Sequence, residues 1–173
     1  MKKFMTLFTV SLLVIIILNA NTQTDPENPI RIQKLSDRVL VFTQDSPMEN
    51  IVVALVSKKG LVVVDATGSP YTAALMRKDI EKEFGRNDFA YVINTHHHWD
   101  HAWGNQTFSE AVFMGHENCV AQLQPGAVDV SGMVARSKQN LDDLKPRLAT
   151  LDPDSEETKN LRHRIAYDER RII

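Results

Sequence analysis

A chain of 173 residues with 20 basic and 22 acidic side chains carries a formal charge of −2, and 43% of it is apolar. That balance excludes a basic nucleic-acid-binding surface and a disordered composition, and it supplies enough apolar material for one hydrophobic core. Cys119 is the only cysteine, which excludes an internal disulfide even in an oxidising compartment, and it is expected to pack as a small apolar side chain.

The first residues read as a secretory leader. Lys2 and Lys3 precede the largely apolar run 4–18, and Asn19-Ala20-Asn21 then turns polar. The run is short for a membrane-crossing helix, which needs about twenty residues. Cleavage after Ala20 is therefore expected, leaving no stable membrane span and a periplasmic or secreted chain. Residues 21–29 follow as a flexible lead-in.

Residues 30–35 and 39–43 read as short strands around the turn Ser36-Asp37. The β-branched runs 51–56 and 61–64 form a hairpin across Ser57-Lys58-Lys59-Gly60, where glycine supplies the turn geometry. Gly68-Ser69-Pro70 predicts a helix start, with Ser69 as N-cap and Pro70 in the first helical position. Ala73, Met76, Ile80 and Phe84 recur at spacings of three and four as one buried stripe, and Gly85 ends the helix.

Residues 89–94 form the next strand, which delivers Asn94-Thr95-His96-His97-His98-Trp99-Asp100-His101 at its C-terminal end. His96, His98, Asp100 and His101 combine imidazole and carboxylate donors, a mixture suited to Zn²⁺ and neighbouring transition metals. Alternation in extended chain puts His96 and His98 on one side. After the turn, Asp100 and His101 are free to face a second ion. A solvated histidine tract is the bland alternative, but it accounts for neither Asp100 nor the preceding strand. Trp99 and Trp103 flank the ligands and are expected to pack beneath the loop, with Asn105 bracing it.

Beyond the cluster, 111–114 reads as a strand and 117–123 as a helix. A second helix is expected over 128–148, interrupted by Pro146. A last one begins at Asp152-Pro153-Asp154, with acidic residues favouring its first turn. Its apolar positions are few: Leu161, Ile165, Ala166 and Ile172. Lys159, Arg162, Arg164, Arg170 and Arg171 alternate with acids, which marks a solvated face.

The order His-x-His-x-Asp-His after a strand resembles the signature of the metallo-β-lactamase superfamily. Asp65, closing the strand about thirty residues upstream, Trp103-Gly104-Asn105, and Phe113-Met114-Gly115-His116-Glu117 add to the likeness, which covers roughly residues 30–123. The resemblance implies an α/β (α+β) fold: half of an αββα sandwich over 30–125, then C-terminal helices over 126–173, with the chain ending before the second half. It implies one or two Zn²⁺ ions, Fe or Mn being alternatives. His96 and His98 would bind the first ion and Asp100 and His101 the second. Asp100 would also orient the nucleophilic water as the catalytic residue, and Asp65 would fix the loop from behind. A metal-bound hydroxide would then attack an ester, thioester, lactam or similar bond of a small-molecule substrate.

The family completes its sites with a later Gly-His-Thr or Gly-His-Ser histidine, a bridging aspartate and a last histidine. This chain shows none of these. His116 is assigned to local structure. His163 stands between Arg162 and Arg164 with no strand or glycine turn before it, a poor setting for a zinc ligand. Two readings follow. One is a metal-dependent hydrolase, truncated in this chain; the other is a catalytically silent metal-binding remnant, or a subunit completed by an unknown partner chain at its sheet edges. Fold alone does not choose the substrate.

Overall fold

The computed structural model describes residues 30–44, 49–123 and 129–171. The expected leader and lead-in, positions 126–128 and Ile172 lie outside the described residues. Six strands form one mixed sheet in chain order: β1 (Ile30–Ser36), β2 (Val39–Gln44), β3 (Asn50–Ser57), β4 (Gly60–Val64), β5 (Phe89–Ile93) and β6 (Val112–Met114). The first four pair antiparallel, as expected from the two tight turns. The β4–β5 and β5–β6 pairs are parallel, so each needs a crossover. Helix α1 (Pro70–Phe84) makes the first crossover. The second runs through the one-turn α2 (Trp99–Ala102) and a 3₁₀ segment (Trp103–Phe108). The architecture is mixed α/β, as expected.

Register explains which face is buried. Leu40, Ala54, Val63 and Val92 are successive cross-strand partners, and all four are fully buried. They share one core with Ala73, Met76 and Ile80 of α1 and with Phe108. Burying a valine or leucine of this kind contributes roughly 1.5–3 kcal/mol. The period-2 side-chain alternation puts Val41, Val53, Val64 and Ile93 in a parallel row on the other face, where they are half-buried. Helix α1 has the expected ends: the Ser69 hydroxyl accepts from the Thr72 amide at 3.3 Å, and Gly85 closes it at φ 64°.

The C-terminal part is helical: α3 (Cys119–Leu123), α4 (Val130–Leu148) and α5 (Glu156–Arg171). Helices α4 and α5 make a hairpin around a small core of Leu141, Leu161 and Ile165, supported by Leu144, Leu148 and Leu151. Three details differ from the sequence expectation. Helix α4 starts at Val130 because the Asp129 carboxylate caps the Gly132 amide at 2.8 Å. Pro146 does not interrupt it: the helix runs on to Leu148 despite the lost amide donor and the crowding of the preceding turn by the ring. Helix α5 starts at Glu156, not at Asp152. The Asp152 carboxylate accepts from the Asp154 amide in a local turn, and the Ser155 hydroxyl accepts from the Thr158 amide at 3.1 Å as the cap. The hairpin meets the sheet domain where the Arg170 guanidinium lies 4.7 Å from the centre of the Tyr71 ring on α1.

Candidate metal centre

The histidine loop is held from below by buried polar side chains. Strand β4 ends at Asp65, which is 4% exposed and has a left-handed backbone at φ 59°. Aspartate tolerates that region better than most residues. Its carboxylate then accepts three hydrogen bonds from the loop after β5: from the Thr95 amide at 2.9 Å, the Thr95 hydroxyl at 2.8 Å and His101 Nδ1 at 2.9 Å. Thr67 is also left-handed, at φ 64°, which is strained for a β-branched residue. Its carbonyl accepts from the Gly104 amide at 3.0 Å, and the Ala66 amide donates to the His101 carbonyl at 2.8 Å. The two loops therefore lock together edge to edge.

Glycine is needed at that seam. A Cβ on Gly104 would sit 1.7 Å from the Ala66 carbonyl oxygen, a backbone atom with no room to yield. Asn94 adds a second brace. Its amide nitrogen donates to the His101 carbonyl at 3.1 Å and to Asn105 Oδ1 at 3.2 Å, and Asn105 returns a bond to Asn94 Oδ1 at 2.7 Å. Asn50, from the start of β3, donates to the Asp100 carbonyl. Trp99 and Trp103 pack together at 5.5 Å between ring centres, and Trp99 lies against Gly68. That agrees with the expected packing role, as the Asn105 brace agrees with the sequence reading.

These bonds decide how two of the imidazoles are turned. The Asp65 carboxylate accepts here, so His101 donates from Nδ1, which leaves Nε2 on the side of the ring away from Asp65. Thr95 has one hydroxyl proton and gives it to Asp65. The 3.1 Å contact between Thr95 Oγ1 and His96 Nδ1 therefore takes its proton from the ring, and His96 likewise presents Nε2. Burial pushes His96 below the ordinary histidine range, with the neighbouring His101 and His98 rings adding to the effect. Neutral imidazole is the ligating form.

The rings of His96 and His98 lie 4.6 Å apart between centres, and those of His96 and His101 4.1 Å apart. The Asp100 carboxylate stands 3.5 Å from His101 Nε2. All four expected ligands thus gather on one loop. Among the described residues, however, no three His, Cys, Asp or Glu side chains close into a finished cation-binding group. The donor chemistry fits a zinc-class ion and the loop orients two of the imidazoles for one, while the cage itself is not closed. The remaining candidates have settings of their own. His116 accepts from the Asn118 amide in its own turn, Cys119 is buried, and His163 is half-buried on α5. Sequence reasoning missed Asn50 and the bracing role of Asn94. Asn94 left a signal, a polar residue ending an apolar strand just before the ligands; Asn50 left none.

The chain matches the Metallo-beta-lactamase superfamily over residues 48–165, more than half of its length, and it belongs to that superfamily of metallo-hydrolases. The match extends through α4 and into α5. Solved structures with similar folds include the metallo beta lactamase of Erythrobacter litoralis with beta mercaptoethanol in its active site (13% identity, TM-score 0.49, covering 55% of this chain and 45% of that one). They also include the enzyme of Hirschia baltica (16%, 0.48, 55% and 47%) and the mono-zinc form of FIM-1 from Pseudomonas aeruginosa (13%, 0.49, 58% and 47%). The chain spans less than half the length of each of these three. No curated protein matches it.

Proposed function

We propose that this chain carries the metal-binding loop of an exported, zinc-dependent hydrolase acting on a small molecule with an ester, thioester, lactam or similar bond. One observation carries the reading: a single buried carboxylate, Asp65, holds both ends of the histidine loop and turns His101 Nε2 outward. His96 and His98 would hold one ion, and Asp100 and His101 a second; iron and manganese suit the same donors. When bound, such an ion lowers the pKa of a water towards neutrality and polarises the substrate carbonyl. The side chains do the rest. Asp65 keeps the Nδ1 proton of His101 in place and stabilises any positive charge drawn onto that ring. Asp100 accepts a hydrogen bond from the attacking water and so sets its direction.

A second reading is favoured by the open ligand group among the described residues. In it the chain binds metal weakly and is silent until a partner chain supplies the remaining ligands. Zinc titration of the purified chain, followed by assays on chromogenic esters, thioesters and lactams, separates the two. The first predicts tight zinc uptake with turnover that a chelator abolishes, and the second predicts weak uptake without turnover. Turnover that survives complete removal of metal would rule out both.

A further inference from the structure

Asn50 opens β3 with 4% of its surface exposed, and its amide nitrogen donates to the carbonyl of Asp100. A carbonyl oxygen only accepts, so the two ends of this amide are fixed: Nδ2 meets Asp100 and Oδ1 lies elsewhere. Oδ1 is buried and has no hydrogen-bond donor among the described residues. An unpaired buried acceptor costs stability, and what the amide gains in exchange is its bond to the Asp100 carbonyl.

The carbonyl of the next residue, His101, is tied down in the same way by Asn94 and by the Ala66 amide. Two successive carbonyls at the start of α2 are thus pinned by asparagines from different parts of the sheet. Pinning both fixes the first turn of α2, and with it the directions in which Asp100 and His101 leave the backbone. We propose that Asn50 is a positioning residue for Asp100, presetting its carboxylate as a metal ligand. This rests on the metal-binding reading above.

The test uses the full chain with Asn50→Leu and the near-isosteric Asn50→Asp, which loses the amide donor and in its ionised form cannot donate to a carbonyl. Cobalt serves as the probe, by competition with a chelator and by its visible absorption. Both variants are expected to bind cobalt 10–100-fold more weakly, the usual cost of losing a residue that orients a ligand, with an altered visible band. Urea midpoints of the metal-free variants are measured alongside, and cobalt is titrated where each variant is fully folded, so that a loss of affinity reports the site and not unfolding. Wild-type cobalt affinity and spectrum in both variants would overturn the proposal. A wild-type chain that takes up no cobalt would instead remove the metal reading. Positioning is then judged in the metal-free protein by hydrogen exchange at the His101 and Gly104 amides, both hydrogen-bonded in the structure. At least tenfold faster exchange there in both variants, with β3–β5 unchanged, supports it; equal exchange overturns it.

Discussion

At the scale of single residues, Asp65 shows how one carboxylate couples fold to site. It spends both oxygens on the histidine loop, taking two bonds from Thr95 and one from His101. Charge-assisted bonds of this kind are worth roughly 1.5–3 kcal/mol each when buried, and a left-handed aspartate adds local strain that the loop must repay. Asp65→Asn keeps the volume and the tolerance for φ 59° but loses the charge that holds the Nδ1 proton. It is expected to lower zinc affinity 10–100-fold while costing about 2 kcal/mol in a denaturant titration. A variant that unfolds earlier yet binds zinc normally would show that Asp65 serves the fold alone. His98→Ala tests the ligands themselves: it should abolish zinc binding with little change in stability, since His98 is exposed. Unchanged stoichiometry would count against the ligand assignment.

At the scale of elements, the site depends on how α1 and the 3₁₀ segment are tied to the sheet. Arg77 on α1 is the link. Its guanidinium bonds Glu81 at 2.9 Å, the Thr107 carbonyl at 2.7 Å and Glu110 at 2.6 Å, and lies 4.6 Å from the centre of the Phe89 ring. Arg77→Ala removes the link and leaves Glu110 without its cation, at an expected cost of about 2 kcal/mol. The same pair sets a pH dependence. The hydrogen bond from Arg77 holds the Glu110 carboxyl below the ordinary glutamate range. A depressed folded-state value adds stability above the unfolded value of about 4.3, and that share is lost as pH falls through the folded one. The stability advantage of the native protein over Glu110→Gln should therefore be full at pH 7 and shrink by pH 3. Urea midpoints at the two pH values measure it, and an equal gap at both would refute the link.

The elements also show what the sequence could and could not reveal. Helix α1 was legible end to end because its signals are local: a capping serine, a proline at the first position and a glycine beyond the last turn. The candidate ligands stood out because four side chains of metal-binding type fall within six positions after a strand. Asn50 was not, because its partner Asp100 lies fifty positions away and no periodicity encodes that contact. The need for Gly104 was hidden for the same reason, since the clash it avoids is with Ala66. Gly104→Ala should open the seam between the two loops, weaken zinc binding and lower stability by about 2 kcal/mol or more. Normal zinc binding in that variant would mean the seam does not shape the site.

At the scale of the whole molecule, the described residues form two separate hydrophobic clusters. The sheet and α1 share a core that includes Leu40, Phe42, Val63, Ile80 and Phe108, all at 1% exposure or less. The α4–α5 hairpin has a much smaller one built on Leu141, Leu161 and Ile165, each 7–9% exposed. It touches α1 through Arg170 and Tyr71 at a half-open surface, a cation–ring contact worth roughly 0.5–1 kcal/mol at an exposed site. Stability within a protein follows the density of buried contacts, so the hairpin should open well before the sheet does. Native-state hydrogen exchange is expected to give α4 and α5 amides a lower opening free energy than those of β3, β4 and β5. The Arg170→Ala variant should widen that difference, because it loosens the hairpin without touching the sheet. Metal bound at the loop after β5 would raise protection around Asp65 and His101 and leave the hairpin unchanged, because ligand binding stabilises only the unit that holds it. Exchange that slowed equally in both parts on adding zinc would show that sheet and hairpin open as one cooperative body.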